Sequence, residues 1–259
     1  MPADPEDYRL LRSQSALLAQ ALRLVARDGY TWWQLQETPT EKVLLAVKKL
    51  DEKWAVLLDR PARNVRRQAR LPVVHALLAP LSAMPPEAPH PTWPILVLAD
   101  QKLPGEHMHR VADPKHPPTW VAWRKEAWRP TYVLRKDQRG RWTWFLEESF
   151  YQELLEEALH HATRGDWPRL VGHLKTLGNL PMFSGVWGQL QEIRKRVQKL
   201  WGDRHLRDPE GRWKAPPWRK ALEGWPKTPL SPIGMRLYPE APPRTLGEWW
   251  EAHRKGGGG

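Results

Sequence analysis

The spacing of apolar residues limits the fold more than any other feature of this sequence, because it changes along the chain. Over residues 7–28, leucine and valine recur close to the 3.6-residue helical period, and Gly29 follows as a stop signal. Residues 41–58 repeat the helical period. Between these helices and the middle of the chain, "ILVLAD" at 95–100 is typical of a short buried strand. The N-terminal part therefore predicts helices followed by a strand.

The period then becomes two residues and later returns to the helical value. Residues 119–125 and 131–147 alternate as strands do, and the second stretch predicts a hairpin that turns near Asp137–Gly140. From Glu148 onward the helical period returns. It predicts helices over 148–164, 166–177 and 185–201, with Asp166 as the cap of the second. The sequence therefore predicts an α+β fold with a small antiparallel sheet.

Composition divides the chain into four predicted regions. They are a helical basic region at 1–83, a small antiparallel β region at 84–147 after a proline-rich loop, a helical region at 148–201, and an extended Pro/Trp-rich tail at 202–259. We expect the tail to pack through its tryptophans or to dock a protein partner. Its tryptophans are Trp213, Trp218, Trp225, Trp249 and Trp250.

The charge balance indicates the kind of partner. The formal net charge is +12, from 41 Lys and Arg against 29 Asp and Glu. A protein with such an excess of positive charge commonly binds DNA or RNA, because the phosphates release counterions when lysine and arginine approach. An anionic membrane surface is the competing explanation, but no apolar run reaches the ~18 residues of a spanning helix. With no cysteine and no signal-peptide pattern, we expect a cytoplasmic protein that does not bind membranes.

The strongest local feature is "RPARNVRRQAR" at residues 60–70, which contains no acidic residue. Its arginines are Arg60, Arg63, Arg66, Arg67 and Arg70. All but Arg66 would form one stripe on a helix, where like charges repel by ~0.2–0.5 kcal/mol per pair. Bound phosphates would replace this repulsion by attraction, and the planar guanidinium binds phosphate bidentately. The alternative is that carboxylates from elsewhere in the fold pair with the stripe.

Two further basic groups are candidates for phosphate contacts. The predicted hairpin tip has Lys136, Arg139 and Arg141, and a turn must be exposed. The helix at 185–201 has Arg194, Arg196 and Lys199 beside an apolar stripe that we expect to face the core. Near the tip, Trp142 and Trp144 share a strand face, which suits either the core or the stacking of unpaired bases.

A possible catalytic motif lies in "GEHMHR", where His107 and His109 flank a methionine. On a strand both imidazoles would point the same way and would bind one divalent ion. This pattern resembles the metal motif of rolling-circle (HUH) nucleases and relaxases, in which a tyrosine attacks a DNA phosphate. That resemblance implies a nucleophile such as Tyr132 or Tyr151. The alternative without a metal is a pair of surface histidines in a loop after Pro104-Gly105.

Two segments resemble a group of bacterial proteins. "DGYTWWQLQETPTEKVLLAVKKLDEKW" followed by the arginine-rich run, and "LGNLPMFSGVWGQLQEIRKR", resemble poorly characterised proteins carried on plasmids and integrative elements. The resemblance covers about a third of the chain and carries over no active-site residue. It implies a role in the replication, transfer or control of a mobile genetic element in a prokaryotic cytoplasm.

The sequence therefore predicts a basic nucleic-acid-binding protein without a cofactor or metal. Its arginines would contact the phosphate backbone, alone or with other subunits of a nucleoprotein complex. One alternative is a metal-dependent HUH-like nicking enzyme that uses His107 and His109. The other is a protein-interaction adaptor with an incidentally basic surface.

Overall fold

The computed structural model describes residues 4–80, 92–122, 130–205 and 218–256. Within them the chain has an α+β fold with two antiparallel sheets, as the spacing of apolar residues predicted. It divides into two compact units, Met1–Trp142 with Pro232–Gly259, and Thr143–Ser231. The expected proline-rich loop between 81 and 91 and the tail residue Trp213 lie outside the described residues.

A four-stranded sheet organises the first unit. Its strands are β1 (Trp32–Pro39), β2 (Val74–Leu77), β3 (Thr92–Ala99) and β4 (His109–Arg110), in the order β2-β3-β1-β4. All paired neighbours are antiparallel. The sequence of β3, "TWPILVLA", is an almost continuous apolar run, and seven of its eight residues are buried. An almost continuous apolar run is typical of a strand whose two faces are both buried.

Two helices precede and follow β1. Helix α1 (Gln14–Arg27) begins where the Ser13 hydroxyl accepts a hydrogen bond from the Ala16 amide at 3.2 Å. It is shorter than predicted because residues before Ser13 form a 3₁₀ turn and a β-bridge. Helix α2 (Val43–Trp54) buries Val43, Val47 and Leu50 in the same core as β3.

The predicted boundary between a helical region at 1–83 and a β region at 84–147 is not seen in the first unit. Strands β1 and β2 come from the first of these regions, and both pair with β3 from the second. The two regions therefore share one sheet. Local periodicity missed this because the pairing depends on contacts between residues distant in sequence.

The second sheet contains the predicted hairpin. Its strands are β5 (Thr119–Val121), β6 (Thr131–Lys136) and β7 (Trp142–Leu146), in the order β5-β6-β7. The Asp137 amide donates to the Arg141 carbonyl at 2.8 Å, and Gly140 takes a positive φ of 74° in the turn. A positive φ at this position favours glycine. The turn at Asp137–Gly140 is therefore confirmed.

The second unit is mainly helical, and the sequence predicted its helices closely. They are α4 (Glu148–Arg164), α5 (Trp167–Gly178), α6 (Ser184–His205) and the short α7 (Trp218–Ala221). Asp166 caps α5 as predicted, since its Oδ1 accepts from the Arg169 amide at 3.2 Å. The apolar stripe of α6 faces the core: Val186, Leu190, Ile193 and Val197 are fully buried.

The C-terminal tail is not extended throughout, contrary to the prediction for 202–259. Residues Leu246–Gly256 form helix α8. The Trp249 ring packs edge-on against Trp93 with centroids 4.3 Å apart, and Trp250 packs against the same core. In the second unit, Trp225 is buried and its Nε1 donates to the Leu174 carbonyl at 2.8 Å. These indoles pack as the sequence predicted, although Trp249 and Trp250 remain half-buried.

Candidate nucleic-acid interface

Helix α3 (Arg60–Gln68) carries four of the five clustered arginines. It begins at Asp59, whose Oδ1 accepts a hydrogen bond from the Ala62 amide at 2.9 Å. Pro61 lies in the first turn, where backbone amides have no hydrogen-bond partner within the helix. The local sequence therefore starts a helix immediately before the basic run.

The helix ends earlier than the predicted stripe requires. It stops at Gln68, and Arg70 then takes a left-handed conformation with φ of 57°. Arg70 is exposed but lies beyond the helix. The predicted stripe of four arginines is therefore wrong. Three of them, Arg60, Arg63 and Arg67, are spaced by three and four residues and lie on one side of the helix.

The arginine side of α3 lines a cleft of its own unit, with Arg60 and Arg67 exposed and Arg63 half-buried, and the apolar side is not buried either. Val65 is 64 % exposed. Arg63 is half-buried; its Nη2 donates to the Val56 carbonyl at 3.0 Å, and its buried Nε has no hydrogen-bond partner among the described residues. Burial lowers the pKa of Arg63. Burying a cation without a hydrogen bond at Nε is unfavourable, and an anion close to the guanidinium would offset that cost.

Arg60, Arg63 and Arg67 line a cleft of ≈ 880 Å³ within the first unit. Its other walls come from the N-terminal segment, α1, β2 and the chain before α8. Six arginines and four aspartates line it, an excess of two positive charges. The arginines are Arg9, Arg23, Arg27, Arg60, Arg63 and Arg67; the aspartates are Asp4, Asp7, Asp28 and Asp59. A concave surface with such an excess concentrates positive potential.

Some of these charges are already held by the fold. Asp59 caps α3, and Asp4 accepts a hydrogen bond from a nearby amide at 3.0 Å. Arg23 donates to carbonyls of the tail at 2.8 and 3.2 Å. Arg9 lies over the Tyr238 ring, 4.3 Å from its centre. Four arginines therefore remain as candidates for contact with an external anion: exposed Arg27, and Arg60, Arg63 and Arg67 of the basic run.

Tyr30 and His75 lie beside these guanidiniums. The Nη2 of Arg67 is 3.5 Å from the Tyr30 hydroxyl oxygen, and the Tyr30 and His75 ring centroids are 5.1 Å apart. Burial, with the nearby charges of Arg63 and Arg67, lowers the pKa of His75 to about 3. Burial raises the pKa of Tyr30 to about 12. Both rings are therefore neutral at ordinary pH, and the positive charge here belongs to arginine.

Internal carboxylates do little to neutralise the cluster. Among the residues that the structure describes, only Asp100 places a carboxylate oxygen within 4.0 Å of any of the five arginines: its Oδ2 is 3.8 Å from Arg67 Nε. A charge-assisted hydrogen bond is shorter, about 2.7–2.9 Å. The other oxygen of Asp100 accepts from the Val73 amide at 3.0 Å. The Nε of Arg66 donates to the Pro72 carbonyl oxygen at 3.1 Å. This acceptor is uncharged and does not neutralise the guanidinium.

The hairpin tip is a weaker candidate than its sequence indicated. Arg141 donates to Asp137 Oδ2 from Nε at 3.0 Å and from Nη2 at 2.9 Å. Hydrogen bonds, first of all from the Arg141 amide, lower the pKa of Asp137. Arg139 is exposed, and the Lys136 ammonium lies 5.4 Å from the Trp142 ring centre. An internal carboxylate thus already pairs with one of the three predicted cations.

The nearby tryptophans differ in burial. Trp144 is fully buried and serves the core, whereas Trp142 is half-buried. Their predicted common face is therefore only partly a core face.

The basic residues of α6 belong to the second unit. Arg196 Nε donates to Glu192 Oε1 at 2.9 Å, and Arg194 reaches Gln191 Oε1 at 3.5 Å. Lys199 is exposed. These side chains surround the buried stripe of α6, which is the ordinary polar face of an amphipathic helix.

His107 and His109 lie on one side of the chain, as their spacing predicted, with ring centroids 4.9 Å apart. His116, which the sequence did not single out, stacks on His109 at 4.6 Å and bonds to Asp113 at 3.1 Å. Within the described ranges, no group of three or more His, Cys, Asp or Glu residues has a geometry that would hold a metal ion. Tyr132, one suggested nucleophile, is 1 % exposed.

Comparison of the chain with protein-family models, with curated proteins and with solved structures finds no match. In the part of the chain that the structure describes, no helix has the length and apolar character needed to cross a bilayer.

Proposed function

We propose that this protein binds nucleic acids, and that α3 with the cleft beside it contacts the phosphate backbone. The observation that carries the proposal is the arrangement of Arg60, Arg63 and Arg67. They share a cleft with an excess of arginine over aspartate, and among the described residues the carboxylate oxygen in ion-pair range of the cluster is Asp100 Oδ2, 3.8 Å from Arg67 Nε. Arginines that repel one another and have few internal counter-ions are stabilised by a polyanion.

Exposed Arg70 extends this surface beyond the helix, and the overall charge of +12 would attract a polyanion from a distance. The residues of the hairpin tip and of α6 are secondary candidates, because Arg141 and Arg196 already have carboxylate partners. Phosphate contacts position a protein on nucleic acid without reading its sequence. We therefore expect weak dependence of affinity on base sequence.

A biological role on a plasmid or integrative element remains a prediction from the two sequence segments described above. Within a nucleoprotein complex, a protein of this kind would coat or position nucleic acid rather than cut it. The histidine group does not favour the nicking enzyme, since among the described residues no three or more His, Cys, Asp or Glu side chains are placed to hold a metal ion. The His109 ring stacks on His116 and meets His107 edge-on.

Fluorescence anisotropy with labelled single-stranded DNA, duplex DNA and single-stranded RNA tests the proposal. We expect saturable binding to at least one of the three at moderate salt. The adaptor alternative predicts no measurable affinity for any of them, together with a stable protein partner in a pull-down. That result would overturn the proposal.

A further inference from the structure

We infer that the cleft of the first unit is a binding site for a phosphomonoester, carried on the end of a nucleic-acid strand or on a free nucleotide. If the ligand is the phosphate at the end of a nucleic-acid strand, the inference rests on the proposed function. If the ligand is a free nucleotide, it does not. It deepens the proposal by separating terminal phosphates from the internal phosphates that an exposed basic surface contacts.

The size of the cleft suits one nucleotide. Small-ligand sites commonly enclose about 300–1,000 Å³, and this cleft measures ≈ 880 Å³. An intact duplex is too wide to enter such a space and would reach only its rim. A free nucleotide or a strand end is narrow enough to go in.

The charge of the lining suits a phosphomonoester better than an internal phosphodiester. Arg63 and Arg67 lie on one side of α3, and Arg63 Nε is buried without a hydrogen-bond partner among the described residues. A phosphomonoester carries about −1.5 to −2 charges at neutral pH and offers three acceptor oxygens. A phosphodiester carries a single charge. Two adjacent guanidiniums therefore match the terminal group in both charge and hydrogen bonding.

Aromatic side chains complete the site. Tyr30 and His75 lie next to the two guanidiniums, and Tyr238 lines the cleft with 37 % of its surface exposed. Arg9 lies over one face of the Tyr238 ring, so a base would stack on the opposite face. His75 is neutral because burial and the two cations disfavour its protonation. Neutral imidazole adds a hydrogen-bonding group without adding to the repulsion between the guanidiniums.

The first test compares matched probes that differ only in one phosphate. A single-stranded oligonucleotide with a 5′-phosphate is titrated beside the same strand with a 5′-hydroxyl, and AMP is titrated beside adenosine. We expect about tenfold tighter binding of the phosphorylated probe in at least one pair, the effect of one good charge-assisted contact. Preference within the strand pair assigns a strand end, and preference within the AMP pair assigns a free nucleotide.

Variants separate the cleft from general electrostatic attraction. Arg67→Gln removes a guanidinium whose side chain is 45 % exposed, and it should abolish the preference for phosphate. Arg63→Gln should do the same, although it also removes the bond to Val56. Lys49→Gln is the matched control, since it removes one exposed charge of the same unit that does not line the cleft. The control should keep the full preference.

A spectroscopic measurement on the unmodified protein needs no variant. In proton NMR, phosphate bound between Arg63 and Arg67 would offset the cations that face His75. The pKa of His75 should then rise above its lowered value of about 3. At that acid pH the phosphate carries about one negative charge, because its second pKa is about 6. Inorganic phosphate and AMP serve as the probes.

The outcomes distinguish failure of the inference from failure of the proposed function. Equal binding of phosphorylated and unphosphorylated probes in both pairs, with an unchanged His75 titration, overturns the cleft site. If both strands nevertheless bind, nucleic-acid binding stands without it. If AMP binds and none of single-stranded DNA, duplex DNA and single-stranded RNA does, the cleft site stands and the proposed function is wrong.

Discussion

Replacing Arg60, Arg67 and Arg70 together with alanine tests whether the cluster contacts phosphates. All three side chains are exposed, so the change should leave the fold intact. Arg63 is kept because it is half-buried and bonded to the Val56 carbonyl. Its loss would mix an effect on stability with an effect on binding.

The magnitude follows from counterion release. Each phosphate contact contributes about 0.9 to the slope of log K against log salt for duplex DNA, and about 0.7 for a single strand. Losing three contacts should reduce the slope by about 2.7 or about 2.1, respectively. Between about 50 and 200 mM salt, the wild-type affinity should therefore fall by about 40-fold more than the variant's on duplex DNA.

The assay is an anisotropy titration at several salt concentrations, with the same probe for each protein. A matched control replaces Lys42, Lys48 and Lys49, which are exposed cations in or beside α2. It removes the same charge and should change the slope far less. If the two triple variants have equal slopes, or if neither differs from wild type, α3 does not contact phosphate.

Three further predictions concern stability and chemistry. Gly185→Ala in α6 would place a Cβ 2.4 Å from the Trp144 carbonyl oxygen, so the free energy of unfolding measured in urea should fall by about 3 kcal/mol. As the matched control, Gly188→Ala places a Cβ with nothing within 4 Å and should be neutral or stabilising. Trp249→Ala, which deletes the ring packed on Trp93, should cost about 3 kcal/mol by the same measurement, and an unchanged unfolding midpoint would contradict the packing described for α8. Labelled DNA and RNA should stay uncut when Mg²⁺ or Mn²⁺ is added, whereas metal-dependent cleavage abolished by His107→Ala would establish the nicking enzyme.

The elements that local sequence determines were predictable. Helices α4 to α6 have strong apolar periods, and Asp166 caps α5 as predicted. The hairpin turn was equally clear, because Gly140 supplies the positive φ that the turn requires. Residues that start, stop or reverse the chain act over a few positions, so a single sequence reveals them.

The cleft was not predictable, because its walls come from segments far apart in the sequence. Arg9, Tyr30 and His75 have no spacing relative to α3 that would indicate a common site. The orientation of α3 was also hidden, since Val65 is exposed while Arg63 is half-buried, the reverse of an ordinary amphipathic helix. Arg60 and Arg67 are exposed and line the cleft, so the helix presents guanidinium groups to an external anion.

The most direct test of the central claim is a salt titration of the unmodified protein with DNA and RNA side by side. If phosphates are the partners of these guanidiniums, log K for at least one of the two must fall linearly with log salt over about 50–200 mM, with a slope of about −3 or steeper. Affinity that stays flat across that range, or no binding at its lower end, would contradict the account.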